Sequence, residues 1–196
     1  MMGVVSMIHS TNQYVIRFIL CLGMMFPLPA MAEFSTIGES SFVTELRAVA
    51  DKGSAEAQYN LGTSYYVGVG VPKNYGEAIK WLNKAADQGY ARAESILGSM
   101  YYGGFGVPKD ITTAIRWWRK AAEHHNPDAA DQLGFAYLLG DGVPKDTIKA
   151  YMWFNIAASQ HDKHAIKDRD TVAQYMNTDQ IEEAQRVQDE WVQSHP

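Results

Sequence analysis

Apolar residues recur at three- and four-residue steps along most of the chain, which is typical of helices that bury one face. Ala57, Leu61 and Tyr65 fall on one such face. After Asn74 the same pattern begins again, with Ala78 as its first apolar residue. The pattern predicts two helices joined by a turn.

This pair of helices recurs twice more with a fixed step of 36 residues. The step relates a Leu-Gly pair, a Val-Pro-Lys triplet, a tryptophan and an Ala-Ala pair, which begin at Leu61, Leu97 and Leu133; at Val71, Val107 and Val143; at Trp81, Trp117 and Trp153; and at Ala85, Ala121 and Ala157. Three ungapped copies predict a stacked array of helix pairs. The predicted boundaries are 33–53 for an N-terminal capping helix, 54–89, 90–125 and 126–161 for the repeats, and 162–196 for a C-terminal half-repeat and capping helix.

Polar residues indicate where the helices begin. The expected N-caps are Ser54, Asn126 and Asp162 for the first helix of a unit, with Tyr90 as the odd member, and Asn74, Asp110 and Asp146 for the second. Glu77 is expected to complete a capping box with Asn74. The final helix is expected to bury the side that carries Ile181, Ala184, Val187, Gln188 and Trp191.

Glycine inside the first helix of each unit costs about 1 kcal/mol relative to alanine. The glycines are Gly62, Gly98 and Gly134. We expect close approach of two helices to offset this cost, with tryptophan or tyrosine from the neighbouring helix filling the space.

The pattern Leu-Gly, Tyr, Gly-x-Gly-Val-Pro-Lys, Trp and Ala-Ala over 54–161 resembles the Sel-one-like repeat, a relative of the tetratricopeptide repeat. The resemblance implies an all-α, α/α superhelix, a right-handed solenoid of antiparallel helix pairs with a concave groove. It also implies an adaptor or scaffold for protein complexes, in envelope signalling, assembly or host interaction. Cysteine-rich members with β-lactam activity carry disulfides, which this chain lacks.

The first 32 residues have the character of a secretory signal peptide. Arg17 precedes an apolar run, and Ala30-Met31-Ala32 forms an A-x-A cleavage site before Glu33. The run is too short and too broken by proline for a good membrane span. Cys21, the only cysteine, lies inside it. We therefore expect a periplasmic or secreted protein without disulfides, cleaved after Ala32.

The formal net charge of −5 and the lack of a Lys/Arg cluster argue against a nucleic-acid partner. The glycine-rich segment 101–110 precedes Lys109, as in a phosphate-binding loop. However, Pro108 removes an amide donor and Asp110 would repel phosphate. We interpret the segment as a turn that leads into a capped helix.

Four histidines, His124, His125, His161 and His164, cluster in the sequence and could converge on zinc or copper. The alternative is that they occupy exposed turns, where Gly53 and Gly89 stand in the earlier units. Because these histidines have no fixed acidic or cysteine partner, we predict no metal or other cofactor. No hydrolase motif is present, so we predict neither an enzyme nor a small-molecule substrate.

Residues that vary between units on the first helix are the predicted partner-binding positions, because repeated residues build the stack. They are Gln58, Ser64, Tyr66, Glu94, Met100, Tyr102 and Phe135. The preferred function is binding of a protein or peptide segment in the groove. Two alternatives are an envelope enzyme acting on peptidoglycan or β-lactams, and a structural component that docks through its capping helices.

Overall fold

The computed structural model describes residues 40–159 and 163–195. These residues form nine α-helices and no β-strand, which agrees with the predicted all-α fold class. In chain order the helices are α1 (Ser41–Asp51), α2 (Ala55–Val67), α3 (Tyr75–Ala86), α4 (Ala91–Gly103), α5 (Ile111–Glu123), α6 (Pro127–Leu139), α7 (Thr147–Ser159), α8 (Lys163–Ala173) and α9 (Thr178–Ser194). The predicted signal peptide, 1–32, and the N-cap predicted at Asp162 lie outside the described residues.

Apart from the last helix, each helix packs chiefly against its neighbours in sequence, so the chain builds a row of helix pairs. The most extensive contacts join α2 to α3, α4 to α5 and α6 to α7. Ahead of the first pair α1 packs against α2, and beyond the last pair α8 packs against α7. Three clusters of buried apolar side chains follow one another along this row. Within the described part of the chain, no helix has the length and apolar character needed to cross a bilayer.

The predicted N-caps form hydrogen bonds that satisfy amide groups at the helix starts. Ser54 Oγ accepts from the Ala57 amide at 3.3 Å, and Asp110 Oδ1 accepts from the Thr113 amide at 3.0 Å. Equivalent bonds to the amide three residues on are made by Asn74, Asn126 and Asp146. Tyr90 begins α4 without a side-chain bond of this kind.

The capping box predicted at Asn74 and Glu77 is wrong. The Glu77 carboxylate instead lies 3.4 Å from Lys80 Nζ, one turn along α3, where it forms an ion pair. A capping box occurs at the start of α9, where Asn177 and Gln180 each accept from the other's backbone amide. The Asn74 amide is already engaged, because it donates to the Tyr65 carbonyl at 2.9 Å, so no donor is left for the Glu77 side chain.

The helix glycines allow two helices of the same unit to approach closely. A β-carbon on Gly134 would lie 2.6 Å from Phe154 Cε1, and one on Gly62 would lie 2.8 Å from Leu82 Cγ. On Gly98 it would overlap the indole ring of Trp118. The expectation of tryptophan or tyrosine in this place is therefore correct only in the second unit. The space is filled by the residue that follows the repeated tryptophan, and its type varies between units.

The repeated tryptophans are not equally buried. Trp81 and Trp153 are 3% and 5% exposed, whereas Trp117 is only half-buried. In the second unit the deeply buried indole is that of Trp118, which is 2% exposed. In the second unit the more deeply buried tryptophan is therefore the one that contacts Gly98, one position after the repeated tryptophan.

The backbone conformation and the packing of the turn at 101–110 both require glycine. Gly104 and Gly106 have φ angles of 72° and 77°, in the left-handed region that favours glycine. A β-carbon on Gly106 would also lie 2.5 Å from Cβ of Tyr75, the first residue of α3 in the preceding unit. Close packing of the turn on that unit supports its interpretation as a turn rather than a phosphate site.

At the C-terminal end, α9 packs mainly against α7. The Trp191 ring meets the Trp153 ring edge-on, with centroids 5.2 Å apart. Asn155 Nδ2 donates to Gln188 Oε1 at 2.6 Å. Ala184 is buried on the same side, so the apolar face predicted for this helix faces the array. The helix therefore covers the last repeated tryptophan, as a cap for the stack would.

Candidate functional site

Three of the seven predicted partner-binding residues are not accessible to a partner. Gln58 is 5% exposed, and Glu94 and Met100 are fully buried. Met100 belongs to the apolar cluster between the first and second units. The prediction failed at these positions because residues that differ between units can still pack between helices.

Gln58 connects three helices through its side-chain amide. Its Nε2 donates to the Ala50 carbonyl at the end of α1 at 3.1 Å. Its Oε1 accepts from Gln88 Nε2, just beyond α3, at 2.7 Å. Both ends of the amide are therefore engaged within the array, as a buried polar group requires.

Glu94 occupies the equivalent position in the second unit but uses a different network. Its carboxylate oxygens lie 3.1 Å from Lys120 Nζ and 2.8 Å from His124 Nδ1, both on the α5 side of the unit. Lys120 Nζ also donates to the Ala86 carbonyl at 3.2 Å. Ala86 is the repeat equivalent of Ala50, so Lys120 and Gln58 satisfy the same carbonyl in successive units.

This cluster of a carboxylate, an amine and an imidazole has a structural role. Both oxygens of Glu94 face partners inside the unit, and the carboxylate has no exposed surface from which to reach a substrate. A paired acid and base for catalysis would need contact with the reacting group. The geometry supports an ion pair between a buried carboxylate and partly exposed cationic partners, which fixes α4 against α5.

The described histidines have different surroundings. His124 contacts Glu94, and His164 is exposed on α8. His125 has a φ of 58°, in the turn position that Gly53 and Gly89 fill in the earlier units. Residues 40–159 and 163–195 contain no group of three potential metal ligands. His161 lies outside the described residues.

The other four predicted residues reach the surface to different degrees. Phe135 packs edge-on against Phe154 at 4.9 Å and is half-buried beside the core. Ser64 is half-buried, and its carbonyl accepts from the Gly68 amide where α2 ends. Tyr66 and Tyr102 lie close to the ends of α2 and α4, next to the glycine turns.

Four aromatic side chains lie at or beside these helix ends, and we call them the aromatic edge: Tyr66, Tyr75, Tyr102 and Phe105. The Phe105 ring lies 6.0 Å from the Tyr66 ring and 5.6 Å from the Tyr75 ring, and the two tyrosine rings are 5.7 Å apart. Phe105, in the turn of the second unit, thus packs against the first unit. Tyr75 was missed from the sequence, although it is at a position that varies between units, as Tyr75, Ile111 and Thr147.

Tyr102 extends this surface towards the third unit. Its hydroxyl donates to Asp141 Oδ2 at 2.9 Å, and its ring lies 5.4 Å from the Trp118 ring. Burial, together with the hydrogen bond and charge of Asp141, raises the pKa of Tyr102. Burial also raises the pKa of Tyr66. Both hydroxyls therefore remain protonated donors around neutral pH.

Lysines lie beside the aromatic edge and give it a positive border. Lys73 Nζ is 5.2 Å from the centroid of the Tyr75 ring, and Lys109 Nζ is 5.2 Å from that of Tyr102. Both lysines are exposed. Cations over aromatic faces are stabilised there while remaining available to an acidic group.

Comparison with known proteins identifies the repeat. The family model described as "Sel1 repeat" matches three consecutive segments, 55–90, 91–126 and 127–162, each beginning one residue later than predicted. The resemblance inferred from the sequence is thereby confirmed. No curated protein matches the chain.

Solved structures show the same architecture. The c5321 protein, a protective antigen of uropathogenic Escherichia coli with an SLR fold, is 38% identical over 63% of this chain and 26% of its own, with a TM-score of 0.61. A Sel1 repeat protein from Oxalobacter formigenes is 40% identical over 65% of this chain and 96% of its own, with a TM-score of 0.59. Helicobacter pylori cysteine rich protein B, 22% identical over 64% of this chain and 92% of its own at a TM-score of 0.55, shares the fold. These likenesses confirm the predicted all-α superhelix.

Proposed function

Because the chain belongs to the Sel1 repeat family, we propose that it is an exported, non-catalytic scaffold that binds a peptide segment of a partner protein. Sel1 repeats form scaffolds that commonly mediate protein–protein interactions. In this chain the bound segment is extended and apolar and carries acidic residues. It lies along the aromatic edge rather than on the buried positions Gln58, Glu94 and Met100.

One observation carries this proposal: aromatic rings from two successive units meet on the surface beside exposed lysines. Tyr102 and Phe105 are 37% and 38% exposed, although apolar rings of this size are usually more deeply buried. Aromatic surfaces of this kind bind extended peptide segments, and a positive border favours acidic residues next to the apolar ones. A preformed surface also avoids part of the entropy cost of binding.

The test uses a double variant, Tyr102→Ser with Phe105→Ser. Peptides are selected from a random display library on the unchanged protein, and their binding is then measured by fluorescence anisotropy. We expect the double variant to bind the selected peptides at least about tenfold more weakly, because a loss of about 1.4 kcal/mol follows from removing two exposed aromatic contacts. Selected peptides should combine apolar and acidic residues.

The matched control is Tyr175→Ser, which removes an 81% exposed aromatic ring far along the sequence, between α8 and α9. Its affinity should equal that of the unchanged protein. Equal binding by the double variant, or equal loss in the Tyr175 variant, would show that the aromatic edge is not the binding surface. Unchanged helical circular dichroism verifies that each variant is folded.

The proposed location is the periplasm or the extracellular space, with a role in envelope signalling, assembly or host interaction. The Arg17-led apolar run and the Ala30-Met31-Ala32 site support export. The similarity to a protective antigen also supports this proposal, since an antigen must be presented to the host.

Mass spectrometry of the protein from cell fractions tests export. We expect the mature chain to begin at Glu33 and to occur outside the cytoplasm, because signal peptidase requires small residues before the cleavage site. Ala32→Arg should block this cleavage and leave the longer chain associated with the membrane. A chain that retains its first 32 residues in the cytoplasm would contradict the proposal.

A further inference from the structure

The C-terminal helix forms one wall of a cleft of about 290 Å³, whose other walls come from α5, α6 and α7. Its apolar lining consists of Met152, Trp153, Val187 and Trp191. Trp153 is almost fully buried at the bottom, and Trp191 meets it edge-on from α9. This volume is suited to one apolar side chain of a ligand.

Two cations converge on Tyr137 at one end of the cleft. Arg119 NH2 donates to the Tyr137 hydroxyl at 2.8 Å. Lys149 Nζ lies 5.6 Å from the centroid of the same ring and 3.2 Å from Asp146 Oδ2. The hydroxyl bond uses one of the five guanidinium donors, and the remaining donors have the geometry to bind a carboxylate through two hydrogen bonds.

A hydrogen-bond acceptor, the Glu123 carboxylate, lies one helical turn from Arg119. Glu123 follows Arg119 by four residues on α5 and lines the same cleft. Its carboxylate is 3.9 Å from His195 Nε2 and 46% exposed, so it can accept a further hydrogen bond. A carboxylate-binding group, an acceptor and an apolar floor thus face one space.

From this arrangement we propose that the cleft binds the C-terminal residue of a partner peptide that ends in an apolar side chain. The terminal carboxylate binds Arg119 and Lys149, the backbone amide donates to Glu123, and the side chain packs on Trp153. Arg119 and Glu123 are exposed, which leaves an open side through which the rest of the peptide continues. The site is separate from the aromatic edge and does not depend on it.

The first unit provides a natural control. Arg47 NH2 donates to the Tyr65 hydroxyl at 2.5 Å, and these residues are the repeat equivalents of Arg119 and Tyr137. In the first unit Trp81 lies in the apolar cluster with Val43 and Leu61, and Lys84 Nζ is 3.8 Å from its ring centroid. Loss of Arg47 therefore removes the same internal hydrogen bond without affecting the cleft.

The experiment measures binding of three probes by calorimetry and by the indole NMR signals of the protein. The probes are acetyl-Ala-Leu-Phe with a free carboxylate, its C-terminal amide and free phenylalanine. We expect the peptide acid to bind with a dissociation constant below about 1 mM, and the amide and phenylalanine to bind at least about tenfold more weakly. Arg119→Gln should weaken binding of the acid about tenfold, and Arg119→Lys less.

Arg47→Gln should leave the affinity for the peptide acid unchanged while altering the urea midpoint as much as Arg119→Gln does. Equal binding of acid and amide would overturn carboxylate recognition. Equal or tighter binding of phenylalanine would overturn the peptide ligand in favour of a free amino acid. No binding of the acid, or the same loss in both arginine variants, would overturn the site.

Discussion

Replacing Trp118 with alanine is expected to lower the free energy of unfolding by about 3–5 kcal/mol, because it removes an almost fully buried aromatic side chain from between two packed helices. The indole fills the space left by the missing side chain of Gly98, so the change opens a cavity between α4 and α5. Urea unfolding followed by helical circular dichroism measures this loss.

Trp117→Ala is the matched control, since it removes the same side chain from the adjacent, half-buried position. We expect it to cost about 1–2 kcal/mol. Trp118→Leu should cost less than Trp118→Ala, because the first unit packs Leu82 against Gly62 in the same place. If Trp117→Ala were the more damaging change, the repeated tryptophan rather than its neighbour would be the main core residue of this unit.

The second large effect is expected at the buried carboxylate. Lys120→Met removes the lysine partner of the buried Glu94 carboxylate and should cost about 2–3 kcal/mol at neutral pH, less than for a fully buried pair because Lys120 is itself 43% exposed and His124 remains. In the double variant Lys120→Met with Glu94→Gln, no uncompensated charge is buried. We expect it to recover at least about half of the loss in the same unfolding experiment.

Lys84→Met controls for the loss of a lysine at the equivalent position of the first unit. There Gln58 and Gln88 form a neutral pair, and Lys84 lies over the Trp81 ring. The change should therefore cost less than about 1 kcal/mol. Equal effects of the two lysine substitutions, or no recovery in the double variant, would show that the ion pair with Glu94 does not stabilise the unit.

The helices and their starts could be predicted from the sequence because these features are local. Ser54 and Asp110 cap their helices through bonds to amides three residues away, and the 36-residue step fixed the equivalence of the units. The capping box at Glu77 failed because of a contact outside its own helix: the Asn74 amide donates to the Tyr65 carbonyl of the preceding helix.

The burial of the candidate site residues depended on contacts between helices. Position 58 holds Gln58, Glu94 and Ala130 in the three units, and all three are buried. Variation between units predicts a surface position, but here the partner varies as well: Gln58 pairs with Gln88, whereas Glu94 pairs with Lys120 and His124. Joint comparison of both helices across the units could have shown that the two positions change together.

The aromatic edge was predicted only in part. Tyr66 and Tyr102 were identified as variable positions, but the contact of Phe105 with Tyr75 joins different units through a turn. A repeat alignment shows which positions are equivalent, not how far one unit reaches over the next. The same limit explains why the repeat signature does not show that Trp117 is less buried than Trp81.

The packing of α9 against α7 has a consequence for how the chain folds. The other extensive contacts within the described residues join helices that are adjacent in sequence. Such local contacts close small loops and allow fast formation, typically in microseconds to milliseconds for helical proteins. The contact between α9 and α7 passes over α8, so it brings together segments that lie further apart in the sequence. We therefore expect the array to grow unit by unit, with the cover over Trp153 completed last.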